Sequence, residues 1–255
     1  MTKNELLNYL KEEASKTITG WDFSYLNGRW EEDDLPWNYE TIVKEYLKSD
    51  FKLIDIGTGG GEKLLSLNHP FENTSVTEGY EPNYKICMEK LAPLGVNVYY
   101  YVGDEEFNEI PDEQFDIVIN RQESYNEKEL FRILKPNGIF ITQQVGALNN
   151  YDLRKFFDEN YVEKESSQFL VEAEERLKDN GFEIILSDEY FPRLKFLDLG
   201  ALAYFASIIK WEFPNLDVED KFDKFLLLKE ELDENGYILS VQHRYLIVSK
   251  KVNNI

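Results

Sequence analysis

The sequence predicts an α/β fold built on a parallel sheet, and three observations carry that expectation. The first is the run 51–62, FKLIDIGTGGGE, where a stretch of β-formers ends in Asp55, a glycine cluster and a helix-like segment. The second is the alternation of strand-like and helix-like segments that continues to residue 145. The third is spacing: successive strands start roughly 20 residues apart, room for a crossover helix each time. Glycines in the first turn can take positive φ and admit a ligand close to the backbone. The helix that follows offers unpaired N–H groups. The run therefore reads as a small-molecule site at the carboxyl end of a parallel strand.

Composition narrows the class. With 255 residues, 42% apolar and 15% aromatic, the chain can bury one large core and a modest appendage. No apolar run approaches the roughly 20 residues that span a bilayer, and residues 1–16 lack the apolar centre of a signal peptide. The single cysteine, Cys87, excludes an internal disulfide framework and a zinc cluster. A cytoplasmic protein is the expectation. Acidic residues number 49 against 28 basic ones, a formal charge of −21. Such a surface repels polyanions, so nucleic acid and anionic membranes are disfavoured partners.

In chain order, residues 4–16 carry Leu6, Leu7, Leu10 and Ala14 at helical spacing. An aromatic loop at 20–30 and the acidic run 31–34 lead to a second helix over 39–48. This arm, 1–48, holds Trp21, Trp30 and Trp37 outside any clear strand. Packing on the main domain and a lid over the site both fit it. The core, 49–189, has further strands at 75–80, 96–102, 115–120, 139–145 and 182–187. Helices are expected at 83–91, with Pro82 at the first helical position, at about 126–134, and once or twice within 152–179. An aromatic, largely helical insert covers 190–236, and 237–255 holds the final strand and tail. The whole reads as one domain, 1–255.

The glycine spacing selects the ligand. A dinucleotide fingerprint fits at Gly57 and Gly59, but its third glycine position holds Glu62. The pattern present is Asp55-x-Gly57-x-Gly59-x-Gly61, with Thr58 inside it. It resembles the first motif of class I S-adenosylmethionine-dependent methyltransferases, and the resemblance runs in order over about 50–146. Glu81, with Pro82 and Asn83, matches the family's acid after the second strand. Gly103, Asp104 and Glu105 match the end of the third. Residues 115–118, FDIV, and 134–138, LKPNG, match the fourth strand and the turn before the fifth. The segment 139–146 and His243-Arg244-Tyr245 look like an uncharacterised bacterial, type 11-like branch. The resemblance implies a Rossmann-like seven-stranded sheet, order 3-2-1-4-5-7-6 with the last strand antiparallel, and S-adenosylmethionine as cofactor. It places Asp55, Gly57, Thr58, Gly59, Gly61, Glu81, Pro82, Asn83, Gly103, Asp104, Glu105, Asn120 and Arg121 at that cofactor. Chemistry agrees: a carboxylate can accept both ribose hydroxyls, Asp104 can accept the purine amine, and glycine-turn amides suit a carboxylate.

The implied reaction is in-line methyl transfer to a small-molecule acceptor, which positioning and desolvation can accelerate without a metal. His69 and His243 lie far apart in sequence with no Cys/His cluster. His243, read as a general base or as a hydrogen-bonded structural residue, and Glu123 are the catalytic candidates. For Glu123 and Arg121 a surface ion pair fits equally. Trp21, Trp37, Tyr39, Gln122, Gln143 and Arg244 are the candidates for acceptor binding, with the arm and insert forming the pocket. Two other functions fit the same motifs: an RNA methyltransferase, which the acidity opposes, and a non-catalytic S-adenosylmethionine-binding regulator.

Overall fold

The computed structural model describes residues 1–18, 21–101, 106–162, 168–214 and 216–252. Its elements follow in chain order as α1 (Lys3–Ala14), β1 (Trp30–Glu32), α2 (Tyr39–Tyr46), β2 (Leu53–Ile56) and α3 (Glu62–Ser66). Next come β3 (Thr74–Glu78), α4 (Glu81–Lys90), β4 (Asn97–Tyr100), β5 (Phe115–Arg121) and α5 (Glu127–Ile133). Then follow β6 (Leu134–Val145), α6 (Tyr151–Phe157), α7 (Leu170–Asp179), β7 (Phe182–Tyr190) and β8 (Arg193–Phe196). The chain closes with α8 (Leu199–Ile208), α9 (Phe222–Asn235), β9 (Ile238–Val241) and β10 (Arg244–Lys251). These elements divide into two compact units.

The larger unit, Pro36–Ala147 with Glu165–Tyr190 and Arg244–Ile255, holds the seven-stranded sheet. Its order is β4-β3-β2-β5-β6-β10-β7, the predicted topology, with β10 antiparallel to both neighbours. Alternation along the strands buries both faces, as a parallel sheet flanked by helices requires. Ile54, Val118 and Ile247 enter one core with Leu130 of α5 and Leu177 of α7. Leu53, Ile117 and Leu246 enter the other with Val43 of α2, Leu64 of α3 and Cys87 of α4.

The smaller unit, Met1–Leu35 with Leu148–Lys164 and Phe191–His243, joins most of the arm to the insert. Leu6 and Leu10 of α1 pack with Leu153, Phe196, Leu202, Phe225 and Ile238 in its single core. Arg29 ties α1 to the start of α8: its Nε and Nη2 donate to Asp198 at 2.8 and 2.6 Å, and its Nη1 donates to Glu13 at 2.8 Å. Gly200 is required there, because a Cβ would stand 2.3 Å from the Tyr9 hydroxyl.

Four expectations about elements change, the first being that residues 134–138, read as the turn before the fifth strand, belong to β6. Trp30, read as loop, begins β1, which pairs antiparallel with β8. The single final strand expected within 237–255 is two strands: β9 joins β8 in a three-stranded sheet with β1, while β10 joins the large sheet. Gln242 and His243 mark the break, where the Gln242 N–H donates to the Pro192 carbonyl at 2.8 Å. The second core strand stops at Glu78 rather than residue 80, and α4 begins at Glu81. The arm also divides, residues 1–35 in the smaller unit and Pro36 onward in the larger.

Candidate active site

The carboxyl ends of β3, β2 and β5 form one row. Ile56 is in register with Thr77 on one side and with Asn120 on the other. The next position along each strand therefore places Glu78, Gly57 and Arg121 side by side. Beyond Gly57 the chain turns through Gly59 and Gly61 into α3, all three glycines at positive φ of 64–82°. At Gly57 a Cβ would also collide with the Glu123 side chain at 2.4 Å. Only glycine satisfies both conditions there.

Three carboxylates converge on this turn. Asp55 is buried on the Leu53 face of β2, and desolvation pushes its carboxyl up to about 7. The nearby Glu78 charge adds to the rise, while the Thr58 hydroxyl and the Arg121 charge oppose it. Thr58 Oγ1 stands beside that carboxyl without a well-aligned hydrogen bond. Glu78 is buried and accepts the N–H of Gly59 and of Tyr80, each at 2.8 Å. Burial raises its pKa, those two N–H groups counter the rise, and the Glu123 charge adds to it. Glu123 itself is exposed and accepts from the Ser124 N–H and hydroxyl at 3.0 and 3.1 Å. A buried acid raised toward neutrality beside a strand-end glycine turn is a feature that functional positions share.

A polar network stiffens the neighbouring strand ends. Asn120 is fully buried and donates to the Ile56 carbonyl at 3.3 Å, joining β5 to β2. Its Oδ1 accepts from Thr142 at 2.9 Å and Gln144 at 2.5 Å. Gln144 also donates to the Glu123 carbonyl at 3.0 Å, which fixes the backbone under that carboxylate. Trp37 Nε1 donates to Gln143 Oε1 at 2.9 Å, and the Tyr39 hydroxyl donates to the Asn120 carbonyl at 3.0 Å. Burial, with Asp55 nearby, drives the Tyr39 phenol well above its usual range, so it serves as a donor rather than a base. Gln122, at φ 61°, turns the chain just past Arg121 and donates its N–H to the Gln143 carbonyl at 2.9 Å.

Among the predicted site residues, Asp55, Gly57, Thr58, Gly59, Gly61, Asn120, Arg121, Gln122, Glu123, Gln143, Trp37 and Tyr39 thus gather at these strand ends. Glu81 does not. It opens α4 on the surface, where it pairs with Lys85 at 2.7 Å; Pro82 and Asn83 complete that first helical turn. Glu78 occupies the strand-end position expected of Glu81; in the sequence it lies inside the strand expected over 75–80, with nothing to mark it as the end. Gly103, Asp104 and Glu105 lie outside the described residues. The glycine-turn amides also differ from expectation. Gly57, Thr58, Gly59 and Gly61 all donate within the protein, to Thr77, Thr77, Glu78 and Thr58.

Of the remaining candidates, His243 and Trp21 belong to the smaller unit and Arg244 to the larger. His243 belongs to the smaller unit and is fully buried. Its ring stacks on Phe191 at 4.6 Å, its Nδ1 accepts the Leu148 N–H at 3.1 Å, and its own N–H donates to Asn149 at 3.0 Å. These contacts fit the hydrogen-bonded structural reading of His243. Trp21, in the same unit, is exposed and edge-on to Trp211 at 5.7 Å. Arg244 begins β10, in register with Val145 and Tyr190. Among the described residues no group of His, Cys, Asp and Glu could hold a metal ion. None of their helices is long and apolar enough to cross a membrane.

Comparison with known proteins gives the same architecture. A Bacillus halodurans protein provisionally described as a methyltransferase aligns at TM-score 0.57 and 15% identity, over 85% of this chain and 99% of its own. The YcgJ protein of Bacillus subtilis aligns at 0.56 and 18%, again over 85% and 99%. The [4+2]-cyclase SpnF aligns at 0.50 and 15%, over 98% and 93%. No curated protein matches the sequence. The methyltransferase domain family, type 11, matches residues 54–142, which span β2 to β6 and include Asp55, the glycine turn, Glu78 and Arg121. Residues 54–142 are therefore similar to the type 11 methyltransferase domain, and the solved structures share the fold that the motifs implied.

Proposed function

We propose that this protein transfers a methyl group from S-adenosylmethionine to a small-molecule acceptor, within EC 2.1.1.-. The observation that carries the reading is the placement of Asp55 and Glu78 at the glycine turn inside the matched domain. The donor has a sulfonium and an ammonium against one carboxylate, so it is a net cation. Two buried carboxylates and Glu123 supply the complementary field, and binding would return Asp55 and Glu78 to their charged forms. Glu78 takes the ribose diol in this reading. It already accepts two N–H groups, and it can exchange the Gly59 N–H for sugar hydroxyls of equal geometry.

The acceptor is a small molecule because the surface charge opposes RNA. Its attacking atom meets a methyl that is already activated, so orientation supplies most of the rate and a general base is needed only for a protonated acceptor. Glu123, exposed beside Gly57, is the side chain assigned to that proton, with Gln122 and Gln143 positioning the acceptor. Methyl transfer and simple donor binding are distinct outcomes, since a [4+2]-cyclase shares the fold. Incubation with methyl-labelled S-adenosylmethionine and a metabolite extract separates them. Labelled small molecules with stoichiometric S-adenosylhomocysteine support transfer. Donor binding without either product, across extracts, leaves a non-catalytic binder; label in RNA would make the acceptor a nucleic acid.

A further inference from the structure

The smaller unit contains a partly open cavity of about 160 Å³. Its described lining residues all belong to that unit, whereas the glycine turn belongs to the larger one. Helix α6 contributes Arg154 and, one turn later, Phe157; the segment after α8 contributes Glu212 and its neighbour Phe213. The two polar groups are anchored on one residue. Asn149 Nδ2 donates to Glu212 Oε1 at 2.6 Å, and Arg154 Nη1 donates to the Asn149 carbonyl at 3.4 Å. The two apolar groups meet directly, the Phe157 and Phe213 rings lying edge to face at 6.2 Å. The cavity thus has a charged patch that carries both signs, and an aromatic patch beside it.

Both charged groups are positioned before any ligand arrives. Glu212 is buried, and Asn150 Nδ2 holds its second oxygen at 2.7 Å. Asn150 is itself fixed, accepting from the Ser240 hydroxyl at 2.9 Å. The Arg154 guanidinium lies over the Tyr161 ring, 4.2 Å from its centre. A carboxylate has several acceptor positions and a guanidinium several donors, so groups oriented in this way can engage a ligand as well. Lys221 and Asp158 add one charge of each sign to the lining. Such a balanced wall opposes a ligand of net charge and suits one that carries both signs. Size gives the rest: an apolar cavity of about 150 Å³ takes up benzene, so an aromatic ring fits against Phe157 and Phe213.

We infer that this cavity is a binding site for the zwitterion of an α-amino acid with an aromatic side chain. The carboxylate goes to Arg154, the ammonium to Glu212 and the ring to Phe157 and Phe213. An α-amino acid carries its two charges on one carbon, which matches the shared anchor at Asn149. The site is independent of the donor proposed above, and no chemical step is placed in it. The test is calorimetry of the full chain with L-phenylalanine and three probes that each lack one group: hydrocinnamate without the ammonium, phenethylamine without the carboxylate, and glycine without the ring. One-to-one binding of L-phenylalanine is expected, weakened roughly 10-fold or more by the loss of any one group. Leu216→Trp narrows the cavity from an apolar part of its lining and leaves every charge in place. It should weaken L-phenylalanine binding by a similar factor with the melting temperature unmoved, and Arg154→Met should bring L-phenylalanine down to the affinity of phenethylamine. Equal affinity of the unaltered protein for L-phenylalanine and phenethylamine, or unchanged binding in Leu216→Trp, overturns the assignment. So does the absence of saturable binding by all four compounds at millimolar concentration, which would leave the cavity to water.

Discussion

Asp55→Asn tests the electrostatics of the site without requiring any ligand. Burial holds the Asp55 carboxyl at about 7 against an ordinary 3.8, so the folded state keeps this proton over about three pH units in which the unfolded chain releases it. A group whose folded pKa is raised contributes fully below its unfolded value and loses that contribution as pH rises to its folded value. The window is therefore about pH 4 to 7. At ~1.4 kcal/mol per unit, the ionised Asp55 costs the folded protein about 4 kcal/mol above pH 7. Asparagine carries no such charge. Chemical denaturation of both proteins at pH 4, 5.5, 7 and 8 should show the variant gaining on the parent by about 2–4 kcal/mol between pH 4 and 7, then running parallel. Any packing cost of the asparagine is independent of pH and shifts the whole difference without changing its slope. A difference constant across the series would refute the argument, because it would mean that Asp55 ionises normally in the folded protein. The same variant should bind S-adenosylmethionine more weakly, the expected exchange of stability for function.

Four further substitutions follow from the geometry. Glu78→Gln should weaken S-adenosylhomocysteine binding about 10- to 100-fold, as loss of a charged acceptor implies, whereas Glu81→Gln should change it by less than twofold; calorimetry that reverses the two would restore Glu81. His243→Gln should lower stability by about 1–3 kcal/mol in thermal melts through its lost stacking and Nδ1 bond, and leave the pH profile of methyl transfer unchanged. Arg29→Met strips the buried Glu13 and the Asp198 cap of their shared cation. It should cost about 3 kcal/mol in urea denaturation, while S-adenosylhomocysteine binding to the sheet unit stays within twofold.

The sheet was legible because its signals are local and repeated. The apolar runs at 53–56 and 115–121, the glycine turn and the crossover spacing each specify one strand–helix unit, and the topology follows from their order. The Asp55-to-Gly61 turn was legible for the same reason. What failed depended on register or on tertiary partners. Glu81 follows Tyr80 and precedes a proline, which matches a motif on paper. The strand nevertheless ends at Glu78, two residues before the expected end, where the Glu78 carboxylate accepts the Gly59 and Tyr80 N–H groups. β1 escaped because Trp30–Glu32 is a short acidic segment that is a strand only through its pairing with β8, where Arg193 meets Asp33 at 2.7 Å. The break at Gln242 and His243 was hidden by an unbroken β-forming sequence. It exists because Pro192 and Asn149 take the two N–H groups that a continuous strand would have spent on its neighbours.

The central claim is that the glycine turn holds an adenosyl sulfonium donor and not a dinucleotide. Isothermal calorimetry of the full chain with S-adenosylmethionine, S-adenosylhomocysteine and NAD tests it in a single series. Saturable one-to-one binding of the first two, abolished or strongly weakened by Glu78→Gln, with no heat from NAD, is the predicted result. Tight binding of NAD with no binding of S-adenosylhomocysteine would contradict it.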